Sequence, residues 1–296
     1  MVRVPMIGAL VLTALLLGVT AVWGWTFVVV GKAMAAYGVL AFLAIRFGLA
    51  TAVLAPVGLR RTTRGSLATG LAIGLVLGTA YYFQTLGLKY TTPTNSGLVT
   101  GLFILFVPLF DRVLFGLRMD RLRWLAVAAC LGGTVLLIGQ SPRELRTGDA
   151  LTVVAAAIYG LHISLLSHHA ARHDTFALTM AQMLAVALAA GIAWPMFEPL
   201  AAPTPAVWRA LLITGLLASA VAFLIQTFVQ SRLSAARTGI IITAEPLFAV
   251  LFGYSLAGDR LTAVQLVGAA LLMGGIVTSE AIPAWRKTRA SAGGAT

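Results

Sequence analysis

A few polar and charged side chains stand deep inside long apolar runs of this sequence. Arg46 sits in LAIRF, about twelve residues into its run, and Glu245 sits in TAEPLF, about nine into another. Charge in hydrocarbon is costly and faces a partner or a water-filled pocket. Three uses are open: an Arg46–Glu245 pair, a proton taken up by Glu245, or a structural arginine beside a neutral buried acid. Tyr81, Tyr82 and Gln84 share the motif YYFQT, and Gln226 lies in FLIQT. Phenols and amides in an apolar run need partners, and an aqueous cavity supplies them. Trp23, Tyr159 and His162 complete the set. Flat rings with a few amides suit the noncovalent holding of a small molecule: the rings stack on it, and Tyr81, Gln84, His162 and Gln226 meet its polar ends.

Covalent chemistry is not indicated. No glycine loop precedes a lysine to cradle phosphate. His162, His168, His169 and His173 lack cysteine or paired acid partners, so no metal or other cofactor is expected. The last three, beside Arg172, read as a solvated loop. The chain is expected not to be an enzyme.

The aromatic residues recur in echoing contexts. Ala21-Val22-Trp23-Gly24 aligns with Ala157-Ile158-Tyr159-Gly160, 136 residues on, and the same offset pairs Arg46 with Gln182. Further echoes follow in chain order: YYFQT (81–85) with FLIQT (223–227), VPLF (107–110) with EPLF (245–248), and LGGTV (131–135) with MGGIV (273–277). They pair Gln84 with Gln226 and Pro108 with Pro246. Trp23 and Trp25, two residues apart, point to nearly opposite sides of a helix. The echo selects Trp23, because Trp25 answers to Leu161, which suits lipid or core. Trp23 and Tyr159 are therefore expected to form opposing aromatic walls, with Thr26 and His162 one turn along the same faces. Gly70, Gly74 and Gly78 recur every four residues, a stripe that lets helices approach closely.

These residues must be positioned by membrane-spanning helices. The chain is 59% hydrophobic and 10% charged, against roughly 25% charge in soluble domains. Ten uncharged windows can be read, about 6–30, 35–56, 66–88, 92–114, 122–140, 149–168, 175–196, 207–230, 237–257 and 261–281. Each reaches the roughly 20 residues that cross a bilayer as a helix. The runs are continuous rather than alternating, so helices are expected and not a barrel. The first window is too long for the apolar core of a cleaved signal. One cysteine, Cys130, excludes a disulfide within the chain.

The net charge of +12 reads as topology rather than as affinity for nucleic acid. With the N-terminus inside, 14 Lys and Arg fall on the cytoplasmic side, 6 fall outside, and Arg46 lies within a span. The positive-inside rule then puts both termini in the cytoplasm. The echoes divide the chain into 1–140 and 141–296, five spans each, the second with a short basic tail. Five is odd, so the second half enters the membrane upside down. The expected fold class is an all-α integral membrane protein, ten transmembrane helices arranged as two inverted five-helix repeats around a central cavity. Such repeats place a site near the midplane and open it alternately to either side. The fifth and tenth spans, with Gly132 and Gly274, are expected outside the cavity.

The motifs VWGWTF…K, AIRF, GLKYTTPTNSGLVTGLFILFVPLF and LSAARTGIIITAEPLFAVLFG resemble the drug/metabolite transporter superfamily, and within it the ten-helix EamA-type exporters. The likeness covers both halves and is similar to the bacterial branch exporting aromatic amino acids. It implies an alternating-access exporter of small metabolites, foremost neutral and aromatic amino acids, moving them from cytoplasm to periplasm. It also implies a multi-pass protein of the bacterial inner membrane whose partners are lipid and small-molecule substrate. A single chain is the expected working unit. The alternatives are an exporter of lipophilic cations or of another small polar metabolite. Small relatives in this superfamily carry a carboxylate in their first helix; span one here has none, and Glu245 keeps that alternative open. The helix starts TTPTNSG and SAARTG are expected to serve as caps or gates rather than as direct binding sites.

Overall fold

Long uncharged runs satisfy their backbone in hydrocarbon by forming helices, and among the described residues there is no strand. The computed structural model describes residues 6–119, 121–138, 146–258 and, between 262 and 278, all but 265, 269, 272, 276 and 277. Helices α1 (Met6–Met34), α2 (Val39–Arg61) and α3 (Arg64–Gly87) are continuous. The fourth run is split into α4 (Pro93–Thr100) and α5 (Phe103–Phe115) and is followed by α6 (Arg121–Ile138). Next come α7 (Arg146–His169) and α8 (Thr175–Phe197). The following run joins α9 (Pro205–Leu212), a π-helical stretch Ile213–Val221 and α10 (Ala222–Gln230). The ninth is split into α11 (Ala235–Ile242) and α12 (Glu245–Phe252).

Among the described residues, eight spans are long and apolar enough to cross a membrane. The apolar helices Trp124–Gly133 and Leu266–Gly275 are shorter, and both ends of the tenth window lie outside the described residues.

The two splits depart from the uniform windows read in the sequence. Pro246 has no N–H to offer the Ile242 carbonyl four residues earlier, and the helix stops at Thr243–Ala244. The other split falls at Gly101–Leu102, and glycine is a poor helix former. Each split span opens on a side-chain cap. Thr92 Oγ1 accepts from the Asn95 N–H at 3.1 Å, and Ser234 Oγ accepts from the Arg237 N–H at 3.4 Å. The motifs TTPTNSG and SAARTG thus act as helix starts. The two caps are 142 residues apart (234 − 92), and so are Gly101 and Thr243 (243 − 101). The VPLF/EPLF echo is about one turn out of that register, with Pro108 inside α5 and Pro246 in the first turn of α12.

Helices α2 and α8 run antiparallel and are tied at both ends. Glu198, just past α8, accepts from the N–H groups of Val39, Leu40 and Ala41 at 2.8, 3.2 and 3.1 Å. A carboxylate there meets the free donors and positive end of α2. At the opposite end Asp174 caps α8 through Phe176 and Ala177 and pairs with Arg61 at 3.3 Å. Beside Glu198, Tyr37 donates its hydroxyl to the Ala201 carbonyl at 2.9 Å. Burial, and after it the Glu198 carboxylate, pushes that phenol above its ordinary pKa, so it stays a donor.

The glycine stripe does the packing its spacing suggests. A Cβ on Gly70 or Gly74 would come within 2.5 Å of Ala181 or Gln182 on α8. Two further crossings match one another. Gly24 of α1 lies against Phe248 of α12, and Gly160 of α7 against Phe106 of α5; in both a Cβ would fall 2.5 Å from the phenylalanine Cβ. Helix α6 stands to one side, in an apolar cluster with Leu98, Ile104 and Ile240, and Cys130 abuts Gly275 of the tenth run.

Candidate substrate cavity

The crossings leave a cavity between α1, α2, α3, α7, α10 and the two splits. Each helix contributes one face. Trp23, Thr26, Phe27 and Val30 of α1 line it, as do Tyr81, Gln84 and Thr85 of α3 with Leu88 at its C-terminal cap; both sets follow the i, i+3, i+4, i+7 spacing of one helical stripe. Tyr159, His162 and Ile163 come from α7, Phe223 and Gln226 from α10, and Arg46 from α2. The splits deliver Thr100 with Phe103, and Ile242 with Glu245.

Of the residues singled out in the sequence, Trp23, Arg46, Tyr81, Gln84, Tyr159, His162, Gln226 and Glu245 all meet here. Tyr82 does not. It is half-buried and packs edge-on against Phe83, ring centroids 5.6 Å apart. Successive residues on a helix point about 100° apart, so a face holding 81, 84 and 85 turns 82 away. Trp23 is buried while Trp25 is only partly so, in keeping with the chosen face. No group of three His, Cys, Asp or Glu is placed to hold a metal among the described residues.

Trp23 and Tyr159 both line the cavity, and each packs on a second ring. Trp23 packs on Phe223 at 5.2 Å, and Tyr159 packs edge-on against Tyr81 at 5.5 Å. Each pair joins a residue before position 140 to one after it. Phe223 was not anticipated, although it stands 142 residues after Tyr81, at the YYFQT/FLIQT echo.

Polar contacts hold one part of the lining and leave another open. Tyr159 Oη donates to Gln84 Oε1 at 2.9 Å. Gln84 Nε2 donates to Thr100 Oγ1 at 3.0 Å, which donates to the Ser96 carbonyl at 2.7 Å. His162 Nε2 donates to Gln182 Oε1 at 2.9 Å. By contrast Gln226 Oε1 is buried without a hydrogen-bond partner. Such a group carries a desolvation penalty of roughly 1–3 kcal/mol.

The π-helical stretch 213–221 fixes two site residues. Trp23 Nε1 donates to the Ala218 carbonyl at 2.9 Å, and Arg46 Nε donates to Ser219 Oγ at 2.8 Å. π-turns are frequent at functional sites; here the small residues of ITGLLASAV let α1 and α2 reach that backbone. Arg46 also reaches Tyr81 Oη at 3.4 Å and lies 4.7 Å from the centre of the Tyr81 ring. It makes no ion pair with Glu245: the salt bridge found among the described residues is Arg61–Asp174. A guanidinium and a carboxyl group thus line one cavity without a direct contact between them.

The space open at the centre is about 50 Å³, room for a few waters at about 10–15 Å³ each. A larger molecule enters only when the lining moves apart.

A family model described as the EamA-like transporter family matches twice, over residues 10–139 and 146–279. The chain belongs to the EamA-like transporter family. An uncharacterized transporter of Archaeoglobus fulgidus is 28% identical over 263 residues, 86% of this transporter and 81% of the relative. The uncharacterized transporter YyaM of Bacillus subtilis is 22% identical over 288 residues, covering 90% and 93% of the two chains. The fold is shared with a protein crystal structure at TM-score 0.72 and 24% identity, covering 90% of this transporter and 96% of that chain. The transporter is therefore a multi-pass membrane protein that carries a small molecule, and family membership speaks for transport, not catalysis.

Proposed function

We propose that this EamA-like transporter exports small neutral amino acids, aromatic ones foremost, by opening its central cavity alternately to cytoplasm and exterior. The observation that carries this reading is the small set of polar groups, one of them orphaned, in a mostly apolar cavity. Arg46, Glu245 and the orphaned Gln226 Oε1 face the same space as the rings of Trp23, Tyr81, Tyr159 and Phe223. A zwitterion with a flat side chain answers each of these: its carboxylate meets the guanidinium, its ammonium meets Glu245 and the free amide oxygen, and its ring meets the aromatic pairs.

The two family matches, the caps 142 residues apart and the paired glycine crossings support ten helices in two inverted repeats, 1–140 and 141–296. The excess of basic residues on one side supports cytoplasmic termini in a bacterial inner membrane. A single chain contains the whole cavity and suffices as the working unit.

Export of a lipophilic cation is the second reading. Arg46 is already engaged by Ser219 and Tyr81, whereas Glu245 has no cation within 4.0 Å among the described residues. Cells loaded with radiolabelled phenylalanine, or challenged with ethidium, decide between the two. Phenylalanine efflux that depends on this transporter supports the first; ethidium efflux with phenylalanine unmoved replaces it by the second.

A further inference from the structure

A second cavity lies away from the first, where α5 turns into α6. Helix α5 ends at Phe115, and Gly116 takes a left-handed φ of 64°, a conformation glycine adopts without steric cost. The N–H groups of Gly116 and Leu117 return to the carbonyls of Arg112 and Asp111, both at 3.1 Å. The chain doubles back, and Arg118 joins Arg112 in a pocket of about 350 Å³ completed by Pro108, Leu117, Met119 and Trp124. Both arginines are exposed. Neither guanidinium has a hydrogen-bonded or ionic partner among the described residues, whereas the neighbouring Asp111 is buried and accepts from Ser164 at 2.6 Å.

Two guanidiniums brought to one pocket repel each other until an anion joins them. The planar forks of arginine match phosphate oxygens in pairs. The surroundings say what carries that phosphate. Leu109 and Val113 of α5 are 51% and 69% exposed, and Trp124 and Leu125 of α6 are 48% and 67% exposed. The pocket is therefore a basic mouth above an apolar belt, with a tryptophan at the level where such rings gather at a membrane interface. In the topology proposed above it opens at the cytoplasmic leaflet, the side rich in anionic lipid.

We propose that this pocket holds the phosphate of an anionic phospholipid between Arg112 and Arg118, with the acyl chains lying along Leu109, Val113 and Leu125. The site is independent of the substrate cavity and does not need the amino-acid reading. The test uses the purified full-length chain, stripped of lipid in detergent and titrated with phosphatidylglycerol, phosphatidylcholine or inorganic phosphate, with bound lipid counted by native mass spectrometry. Phosphatidylglycerol should be retained over phosphatidylcholine, and R112A/R118A should lower its apparent affinity roughly 30-fold, from about 1 kcal/mol per basic residue. R112K/R118K, which keeps the charge but not the fork, should lose less, and R60A, an exposed arginine elsewhere, should change nothing. Equal retention of both lipids, or undiminished phosphatidylglycerol binding by R112A/R118A, overturns the proposal. Millimolar inorganic phosphate displacing the lipid fully would make free phosphate the ligand and also overturn the lipid assignment.

Discussion

Gln84 and Gln226 occupy echoing positions in the two halves of the chain and end in opposite conditions. Gln84 is satisfied at both ends of its amide, by Tyr159 and by Thr100. The positions that would serve Gln226 in the same way are Trp23, which aligns with Tyr159, and Ile242, which aligns with Thr100 at the 142-residue offset of the caps. An indole can only donate, and its N–H is held by Ala218. Isoleucine offers no polar atom. At the next position of the same register, Phe103 in one half corresponds to Glu245 in the other, and both line the cavity. One part of the lining is thus a closed hydrogen-bonded brace, and the other presents an acceptor and an acid that find no partner among the described residues. On our reading duplication supplied two equal frames, and a handful of substitutions turned one into support and left the other for the ligand.

The comparison can be broken most severely at its charges. Glu245→Gln and Arg46→Ala should each cut amino-acid efflux ten-fold or more, since hydrogen bonds to charged groups contribute roughly 1.5–3 kcal/mol. Efflux assays normalised to membrane-inserted protein check this, and near-normal transport by either variant would remove that residue from the site. Next in size, Trp23→Ala should reduce transport several-fold with the protein still folded and inserted, whereas Trp25→Ala should do little; the reverse order would mean the wrong face was assigned. Ile242→Thr sharpens the comparison by giving Gln226 the hydroxyl that Gln84 already has. The new hydrogen bond, about 1 kcal/mol, should offset part of the apolar burial lost at Ile242, and substrate binding should weaken a few-fold. Higher affinity in that variant would show that the orphaned oxygen does not serve the ligand. The smallest effect is expected at the brace: Tyr159→Phe should cost about 0.5–1.5 kcal/mol in denaturation and change transport less than Trp23→Ala.

Much of the lining was legible because helical periodicity carries over directly from sequence to structure. Trp23, Tyr81, Gln84, Tyr159, His162 and Gln226 were found by spacing and echo, Arg46 and Glu245 by the cost of charge in an apolar run. Tyr82 failed because sharing a motif is not sharing a face. Thr100, Phe103 and Ile242 were missed because hydropathy windows do not register a split; Pro246 four residues after Ile242 was the available signal. Ser219 was invisible for another reason: its role depends on a π-turn whose carbonyls and hydroxyl are reached by helices far away in sequence. Glu198 gave no sign at all, since an acid after an apolar run reads as a loop until the start of α2 is seen beside it.

That last contact has a consequence for how the protein is made. The N–H of Val39 is met by a carboxylate 159 residues later, so during synthesis α2 exists before its cap does. At about 5–20 residues per second the gap lasts roughly 8–30 s. Through that interval the newborn helix must borrow water or lipid headgroups at its leading end, and the helices already made wait in the membrane as an unfinished intermediate. Chains arrested on the ribosome just before Glu198 should leave a cysteine placed at Val39 open to a membrane-impermeant thiol reagent, and chains arrested well after it should protect that site. Equal labelling of the two would mean that the first half settles without its partner.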